Sequence, residues 1–140
     1  MRKRTKMNET GFTLIELMTA VAIIGILVAI VVLNFGDSVR RSNEKATIGD
    51  LRSIRGALSI YASDNNGKNA DALTDLTSNG KYLRKIPPAF PMPHHPSNAA
   101  VLAASAADDA GGWIYDNSGS NPLMVNCTHT DSKGSIWTSF

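Results

Sequence analysis

Polar residues near the start of the chain give way to an almost unbroken apolar run. No charge occurs from Leu17 to Leu33, a stretch of 17 residues. As a helix this stretch would be about 26 Å long at roughly 1.5 Å per residue, close to the lower limit for crossing a bilayer. The pattern predicts a membrane-spanning helix, and it leaves the carboxylate of Glu16, at the beginning of that helix, to be explained.

An amphipathic pattern follows the apolar run. Its stripe has helical spacing, with steps of four and three residues, and consists of Thr47, Leu51, Ile54, Leu58 and Tyr61. The turn residues Asn65-Asn66-Gly67 end it. We expect one helix from about Phe12 to Asp64, apolar all round over 12–35 and burying one face over 36–64. Two heptads are too few to indicate a coiled coil, so packing against a small sheet is preferred.

The region 65–110 is predicted to consist mainly of loops. A short helix is expected in "DALTDLTSNGKYL", with Asp71 as its N-cap and Leu73 and Leu76 facing inward. Five prolines between Pro87 and Pro96 favour an extended surface loop. The alanine-rich segment 99–110 is compatible with a turn or two of helix or with irregular structure.

The last part of the chain, 111–140, is strand-like. The segments "GWIYD" (112–116), "LMVNC" (123–127) and "SIWTSF" (135–140) are separated by turn-rich connectors. They predict a three-stranded antiparallel sheet whose bulky residues lie over the helix. The fold class is therefore expected to be α+β, with a long N-terminal helix and a small C-terminal sheet.

The charge of the chain is concentrated in its first residues. Four of the 14 basic residues and one of the 12 acidic residues precede Gly11, so the remainder has 10 basic and 11 acidic residues. The basic character belongs to the leading peptide, and no nucleic-acid surface is indicated in the body. The basic cluster before the apolar run predicts a cytoplasmic N-terminus.

Three interpretations of the first 35 residues compete. The apolar run is too long for a cleaved secretory signal. An ordinary single-pass anchor explains the length of the run but leaves Glu16 without a partner. Cleavage after Gly11 would create an α-amino group on Phe12, which can pair with Glu16 in a low dielectric, within one chain or between neighbouring chains. The third interpretation alone explains the carboxylate.

The residues "GFTLIEL" followed by "AIIGILVAI" resemble the N-terminal segment of type IV pilins and of type II secretion pseudopilins. The resemblance implies a leader at 1–11, cleavage between Gly11 and Phe12 by a prepilin peptidase, N-methylation of Phe12, and a contact between subunits through Glu16 and Phe12. It covers roughly residues 8–62. A looser resemblance to pseudopilin-G-like proteins runs through "GGWIYD…NPLMVNC…TDSKGSIWTSF" and indicates a globular domain at 36–140.

The resemblance implies a function as a structural filament subunit, either a major type IV pilin or a major pseudopilin of a type II secretion system. Its expected partners are further copies of itself, the prepilin peptidase, membrane lipid before assembly, and an inner-membrane assembly platform with its ATPase. The precursor is expected in the bacterial inner membrane, and the filament in the periplasm or at the cell surface. Gly25 is assigned either to helix flexibility or to close helix packing. The alternative from another class is a membrane-anchored binding protein that does not polymerise.

Other chemistry in the sequence is weaker. Asp116, Asn117 and Asp131 offer the oxygen ligands that calcium prefers, although turn formation explains the same residues. Cys127 and His129, with His94 and His95, have no known zinc spacing, so a buried thiol and surface imidazoles are preferred. No nucleophile or acid–base motif indicates an enzyme.

Overall fold

The computed structural model describes residues 11–119 and 122–140, apart from the side chains of residues 32–34. In chain order its elements are helix α1 (Leu14–Asp64), a 3-10 helix (Leu73–Gly80), strands β1 (Val101–Leu102), β2 (Trp113–Tyr115) and β3 (Leu123–Val125), and a second 3-10 helix (Trp137–Ser139). The predicted α+β class, with a long N-terminal helix and a small three-stranded sheet, is confirmed. The chain divides into two compact units after Gly36, and α1 contributes to both. The leader boundary at residue 11 stays a prediction.

Helix α1 has 51 residues and matches the predicted helix to within two residues at each end. Asn66 and Gly67 follow it with φ values of 57° and 81°, and the Gly67 N–H donates to the Ala62 carbonyl at 2.7 Å. This left-handed turn satisfies a carbonyl that the helix end would otherwise leave without a partner. The predicted termination at Asn65-Asn66-Gly67 is therefore confirmed.

The second unit, Asp37–Phe140, has its core against the amphipathic stripe of α1. Leu51 and Ile54 are completely buried, and Leu58 is nearly so. Trp113, Leu73 and Leu76 are also buried, in the same apolar cluster. Burying side chains of this size contributes about 1.5–3 kcal/mol each, so this cluster stabilises the contact between the stripe and the rest of the unit.

The sheet has the strand order β1-β2-β3. The antiparallel pair β2–β3 was predicted, with Trp113 opposite Val125 and Tyr115 opposite Leu123. The expectation of a wholly antiparallel sheet within 111–140 was wrong, because the third strand is β1, which pairs with β2 in parallel. Gly112 permits this pairing: its φ is +85°, and a Cβ there would lie 2.4 Å from the Ala100 carbonyl oxygen.

The segment 135–140, predicted as the third strand, forms one isolated bridge and then a 3-10 helix. Ile136 is bridged to Thr130, and the helix Trp137–Ser139 follows. The Trp137 N–H donates to the His129 carbonyl at 3.1 Å, and its indole is completely buried, with the Phe140 ring 5.5 Å away. The turn into a helix places the indole in the apolar core.

The short helix predicted near Asp71 is a 3-10 helix that starts at Leu73, so Asp71 as its N-cap was wrong. Ala72 is the capping residue. The Asp75 carboxylate reaches back to accept hydrogen bonds from the N–H groups of Asp71 and Ala72, each at 3.0 Å. A carboxylate three residues into a helix does the same in a capping box. Leu73 and Leu76 are buried, as predicted.

Polar side chains of α1 bind the loops of the second unit. Arg55 Nη2 donates to the carbonyls of Leu123 and Phe140 at 2.7 and 2.6 Å. The buried Thr47 hydroxyl accepts from the Phe90 N–H at 2.8 Å and donates to the Asn43 carbonyl at 3.0 Å. The bonds of Arg55 and the bond from Phe90 join the helix to backbone groups of the rest of the second unit, whereas the bond to the Asn43 carbonyl lies within α1.

Candidate functional site

The first half of α1 presents an exposed apolar surface. The 18 residues Leu14–Val31 are long and apolar enough to cross a membrane, and none of them is buried. Even Val28, one of the more covered large side chains of this segment, is 54% exposed, and Phe12 is 77% exposed. Exposed apolar surface of this extent marks a site that lipid or protein covers.

The start of α1 is capped by a residue that sequence reasoning missed. Thr13 Oγ1 accepts a hydrogen bond from the Glu16 N–H at 3.3 Å, and Leu17 N–H donates to the Thr13 carbonyl at 3.2 Å. Thr13 is thus the N-cap and Glu16 lies three residues later, as in the T-x-x-E capping box. The spacing was visible in "TLIE", and it places an acid in the first turn, where the helix dipole favours it.

The Glu16 carboxylate is exposed and makes no hydrogen bond or ion pair within the part of the chain that the structure describes. Gly11 and Phe12 precede the helix and have no regular structure, whereas the basic residues before them lie outside the described residues. Helix α1 continues through Gly25, and a Cβ at Gly25 would meet nothing within 4 Å. The helix surface at Gly25 is therefore open to close packing by another molecule.

The three calcium candidates are not brought together as one ligand set. The Asp116 carboxylate accepts from the Ser118 N–H and hydroxyl at 3.0 and 2.6 Å. The Asp131 carboxylate accepts from the N–H groups of Lys133 and Ser135, both at 2.8 Å. Asp116 and Asn117 line one surface depression and Asp131 another. Turn formation accounts for both acids, and calcium stays a prediction without further support.

The depression beside Asp131 includes a buried acid of α1. Glu44 is 4% exposed and accepts from Arg40 Nε and from the Ser132 N–H, each at 2.9 Å, and also from the Ser132 hydroxyl. Charge-assisted bonds of this kind compensate for the burial of the carboxylate. The network fixes the loop 131–135 to the helix and offers no open position for a ligand at Glu44.

A second group of possible ligands was not expected to assemble. His95, Asp109, Cys127 and His129 each place one donor atom so that all four lie within 4.8 Å of one another. A hydrogen bond from the Thr128 N–H is the main cause that lowers the pKa of Asp109 to about 2, and burial raises the pKa of the Cys127 thiol. The burial of the Cys127 thiol was predicted. The imidazoles of His95 and His129, which were expected to be separate surface groups, converge on that thiol.

The N-terminal part of the chain matches the protein family described as "Prokaryotic N-terminal methylation motif" over residues 6–32. The type II secretion system core protein G of Vibrio cholerae is 30% identical over 100 residues, which are 62% of this chain and 67% of that protein. Two fimbrial proteins are also similar. EcpC of Eikenella corrodens is 42% identical over 84 residues, and the type IV major fimbrial protein FimA of Dichelobacter nodosus is 39% identical over 87.

The similar region is 58% of this chain in both fimbrial comparisons, and it spans about half the length of those two proteins, 55% and 54% respectively. No solved structure matches the chain. All three relatives carry the names of fimbrial or secretion proteins, none of which is the name of an enzyme.

Proposed function

Because this chain belongs to the pilin and pseudopilin family, we propose that it is the structural subunit of a type IV pilus-like filament. It is made as a prepilin in the bacterial inner membrane with its N-terminus in the cytoplasm. A prepilin peptidase cuts after Gly11 and Phe12 is N-methylated. An assembly platform with its ATPase then polymerises the subunit into a filament in the periplasm or at the cell surface.

One observation carries this proposal, namely that no residue of the apolar segment Leu14–Val31 is buried. A lone chain in water could not keep such a surface uncovered. Lipid covers it in the precursor, and the same segments of neighbouring subunits cover it in the filament. Van der Waals packing and pairing of polar groups drive helix association out of lipid, since both environments are apolar.

Glu16 supplies the polar pairing. A carboxylate within an apolar segment costs roughly 2.5–3.5 kcal/mol at mid-membrane on insertion scales, and less near an end. The structure offers the Glu16 carboxylate no partner among the described residues. The new α-amino group of Phe12 in an adjacent subunit is a partner of opposite charge, and the pair would fix the axial register of packed helices.

The role of the Glu16 charge is tested with variants that separate it from helix capping. Glu16→Gln keeps the size and polarity of the side chain but removes the charge, whereas Thr13→Ala removes the cap and keeps the charge. We expect Glu16→Gln and Glu16→Ala to be cleaved normally and to yield sheared filaments at less than about a tenth of the wild-type amount, and Thr13→Ala to assemble. Wild-type filament yield from Glu16→Gln would refute the pairing.

Processing is tested by the intact mass of protein from native membranes and filaments. The expected mass starts at Phe12 and carries one methyl group, and Gly11→Val is expected to remain uncut. A mature protein that keeps its leader and forms no filament would support the alternative, a membrane-anchored binding protein that does not polymerise.

Both kinds of relative, fimbrial proteins and secretion core protein G, match the chain, so the proposal covers type IV pilins and major pseudopilins. Electron microscopy of cells that express the protein at its native level distinguishes them. Long surface fibres are expected of a pilin, and their absence together with a secretion defect on deletion is expected of a pseudopilin.

A further inference from the structure

Four side chains from three segments of the sequence converge at one place in the second unit. We propose that His95, Asp109, Cys127 and His129 form a binding site for one zinc ion. Each contributes one donor atom, and the four atoms lie within 4.8 Å of one another. The inference is independent of the filament function, because all four residues lie in the unit Asp37–Phe140.

Three of the distances between donor groups are close to those of a tetrahedral site. Zinc bonds of about 2.0–2.3 Å in a tetrahedron place neighbouring ligand atoms about 3.3–3.7 Å apart. Cys127 Sγ lies 3.7 Å from His129 Nδ1. The two oxygens of Asp109 lie 3.2 Å from His95 Nε2 and 3.4 Å from His129 Nδ1. All four donor atoms lie within 4.8 Å of one another, so closing the set around a metal ion requires movements of up to about 1 Å.

The donor types select the metal. One sulfur, two imidazole nitrogens and one carboxylate oxygen suit zinc, whereas calcium and magnesium require sets built from oxygen. Four protein ligands complete the tetrahedral coordination that is typical of structural zinc sites, with no position left for a substrate. The site would thus hold the fold together and would not catalyse a reaction.

The backbone around the cluster is shaped to bring the ligands in. Gly111 has a φ of +79°, and a Cβ there would lie 3.1 Å from the Cβ of His95. Asn126, which is 2% exposed, accepts hydrogen bonds from the N–H groups of Asp108 and Asp109 at 3.1 and 3.2 Å. Both interactions fix the positions of ligands, as outer groups do around metal sites.

Three loops would be joined by the metal. His95 lies in the proline-rich segment, Asp109 in the loop between β1 and β2, and Cys127 and His129 directly after β3. The His129 backbone is already held by the hydrogen bond from the Trp137 N–H to its carbonyl. The site would stabilise the end of the unit where regular elements are shortest, since these strands have only two or three residues.

The test uses the full chain purified in detergent and stripped of metal. Zinc binding is measured by competition with a chromogenic chelator, and cobalt is used as a spectroscopic probe of a tetrahedral thiolate site. We expect one zinc per chain and a cobalt spectrum with a thiolate charge-transfer band that Cys127→Ser abolishes. His95→Gln and His129→Gln are expected to weaken zinc binding at least about 10-fold, since even outer-group substitutions have effects of 10–100-fold.

His94→Gln is the matched control. The His94 ring is exposed and stacks on His129 at 3.9 Å, but it is not among the four converging residues. Its variant is expected to bind zinc like the wild type. Near-ultraviolet circular dichroism verifies that each variant is folded, so that lost binding is not confused with unfolding.

Thermal melting gives a second measurement. At about 100-fold excess over its dissociation constant, zinc is expected to raise the Tm of the wild type by about 10 °C or more, and that of His95→Gln by no more than about half as much. Absence of zinc binding at micromolar metal, equal displacement by calcium, or the same loss in His94→Gln as in His95→Gln would overturn the proposal and leave a hydrogen-bonded cluster.

Discussion

Replacement of Asn126 by alanine is expected to destabilise the second unit far more than its size suggests. Asn126 follows β3 and is 2% exposed. Its side-chain oxygen accepts from the N–H groups of Asp108 and Asp109, and its Nδ2 donates to Asp108 Oδ1 at 2.7 Å and to the Gly111 carbonyl at 3.3 Å. One amide thus organises the turn that leads into β2.

The magnitude follows from these four hydrogen bonds. A typical intramolecular hydrogen bond contributes about 0.5–1.5 kcal/mol net, and a buried group left without a partner costs about 1–3 kcal/mol. Asp108 is exposed and water can replace its bond, so the expected loss is about 2–4 kcal/mol. For a domain of this size 1 kcal/mol corresponds to about 4 °C, so the Tm is expected to fall by about 8–16 °C.

The assay is thermal unfolding of the full chain in detergent, followed by tryptophan fluorescence. Trp113 and Trp137 are both completely buried, so their emission reports on the second unit. Asn117→Ala is the matched control, because Asn117 is exposed and its backbone carbonyl, which the substitution keeps, accepts a bond from Asn69 Nδ2 at 3.1 Å. A surface substitution of this kind changes stability by less than about 0.5 kcal/mol. If Asn126→Ala has the same Tm as Asn117→Ala, the Asn126 amide does not stabilise the turn before β2.

Three further predictions use the same melting assay. Gly112→Ala is expected to cost more than about 2 kcal/mol, because residue 112 has a positive φ and its Cβ would lie 2.4 Å from a backbone oxygen. Gly56→Ala, at an open position in the helix, should instead stabilise by about 0.5–1 kcal/mol. Equal effects of the two substitutions would contradict the pairing of β1. Thr47→Val is expected to cost about 1–3 kcal/mol and Thr47→Ser less, since only valine leaves the Phe90 N–H of the proline-rich loop without its acceptor. A larger loss in Thr47→Ser than in Thr47→Val would exclude that role. The hydrogen bond from Lys81 at 2.8 Å is the main cause that lowers the pKa of Asp64. The stability that Asp64 contributes is therefore present above about pH 4, and it is lost as the pH falls through the lowered pKa of the folded state. The Tm of Asp64→Asn should therefore decrease less than that of the wild type between about pH 5 and pH 2, and parallel curves would show that the pair adds nothing.

The helix was predictable because its signals are local. The steps of three and four residues from Thr47 to Tyr61 identify one buried face, and Asn66 and Gly67 supply the left-handed turn that ends it. The N-cap Thr13 is equally local, since the spacing T-x-x-E marks it, although it was not predicted.

The sheet and the side-chain cluster depend on distant parts of the chain. β1 has only two residues, too few to show an alternating pattern. Its parallel pairing with β2 depends on the close approach of Gly112 to the Ala100 carbonyl, which the hydrophobic pattern of the sequence does not predict. His95, Asp109 and Cys127 lie on three loops, so their spacing along the sequence resembles no metal motif. Such groups are recognisable once the backbone brings them to one place.

Cys127 is the one cysteine in the sequence, and it is completely buried. In the folded protein it should be inert towards maleimides and other thiol reagents. A cysteine introduced at an exposed position, such as Ser59 on α1, would then be labelled selectively without removal of the natural one. The subunit is thus ready for single-site fluorophores or spin labels that follow its movement between bilayer and polymer in living cells.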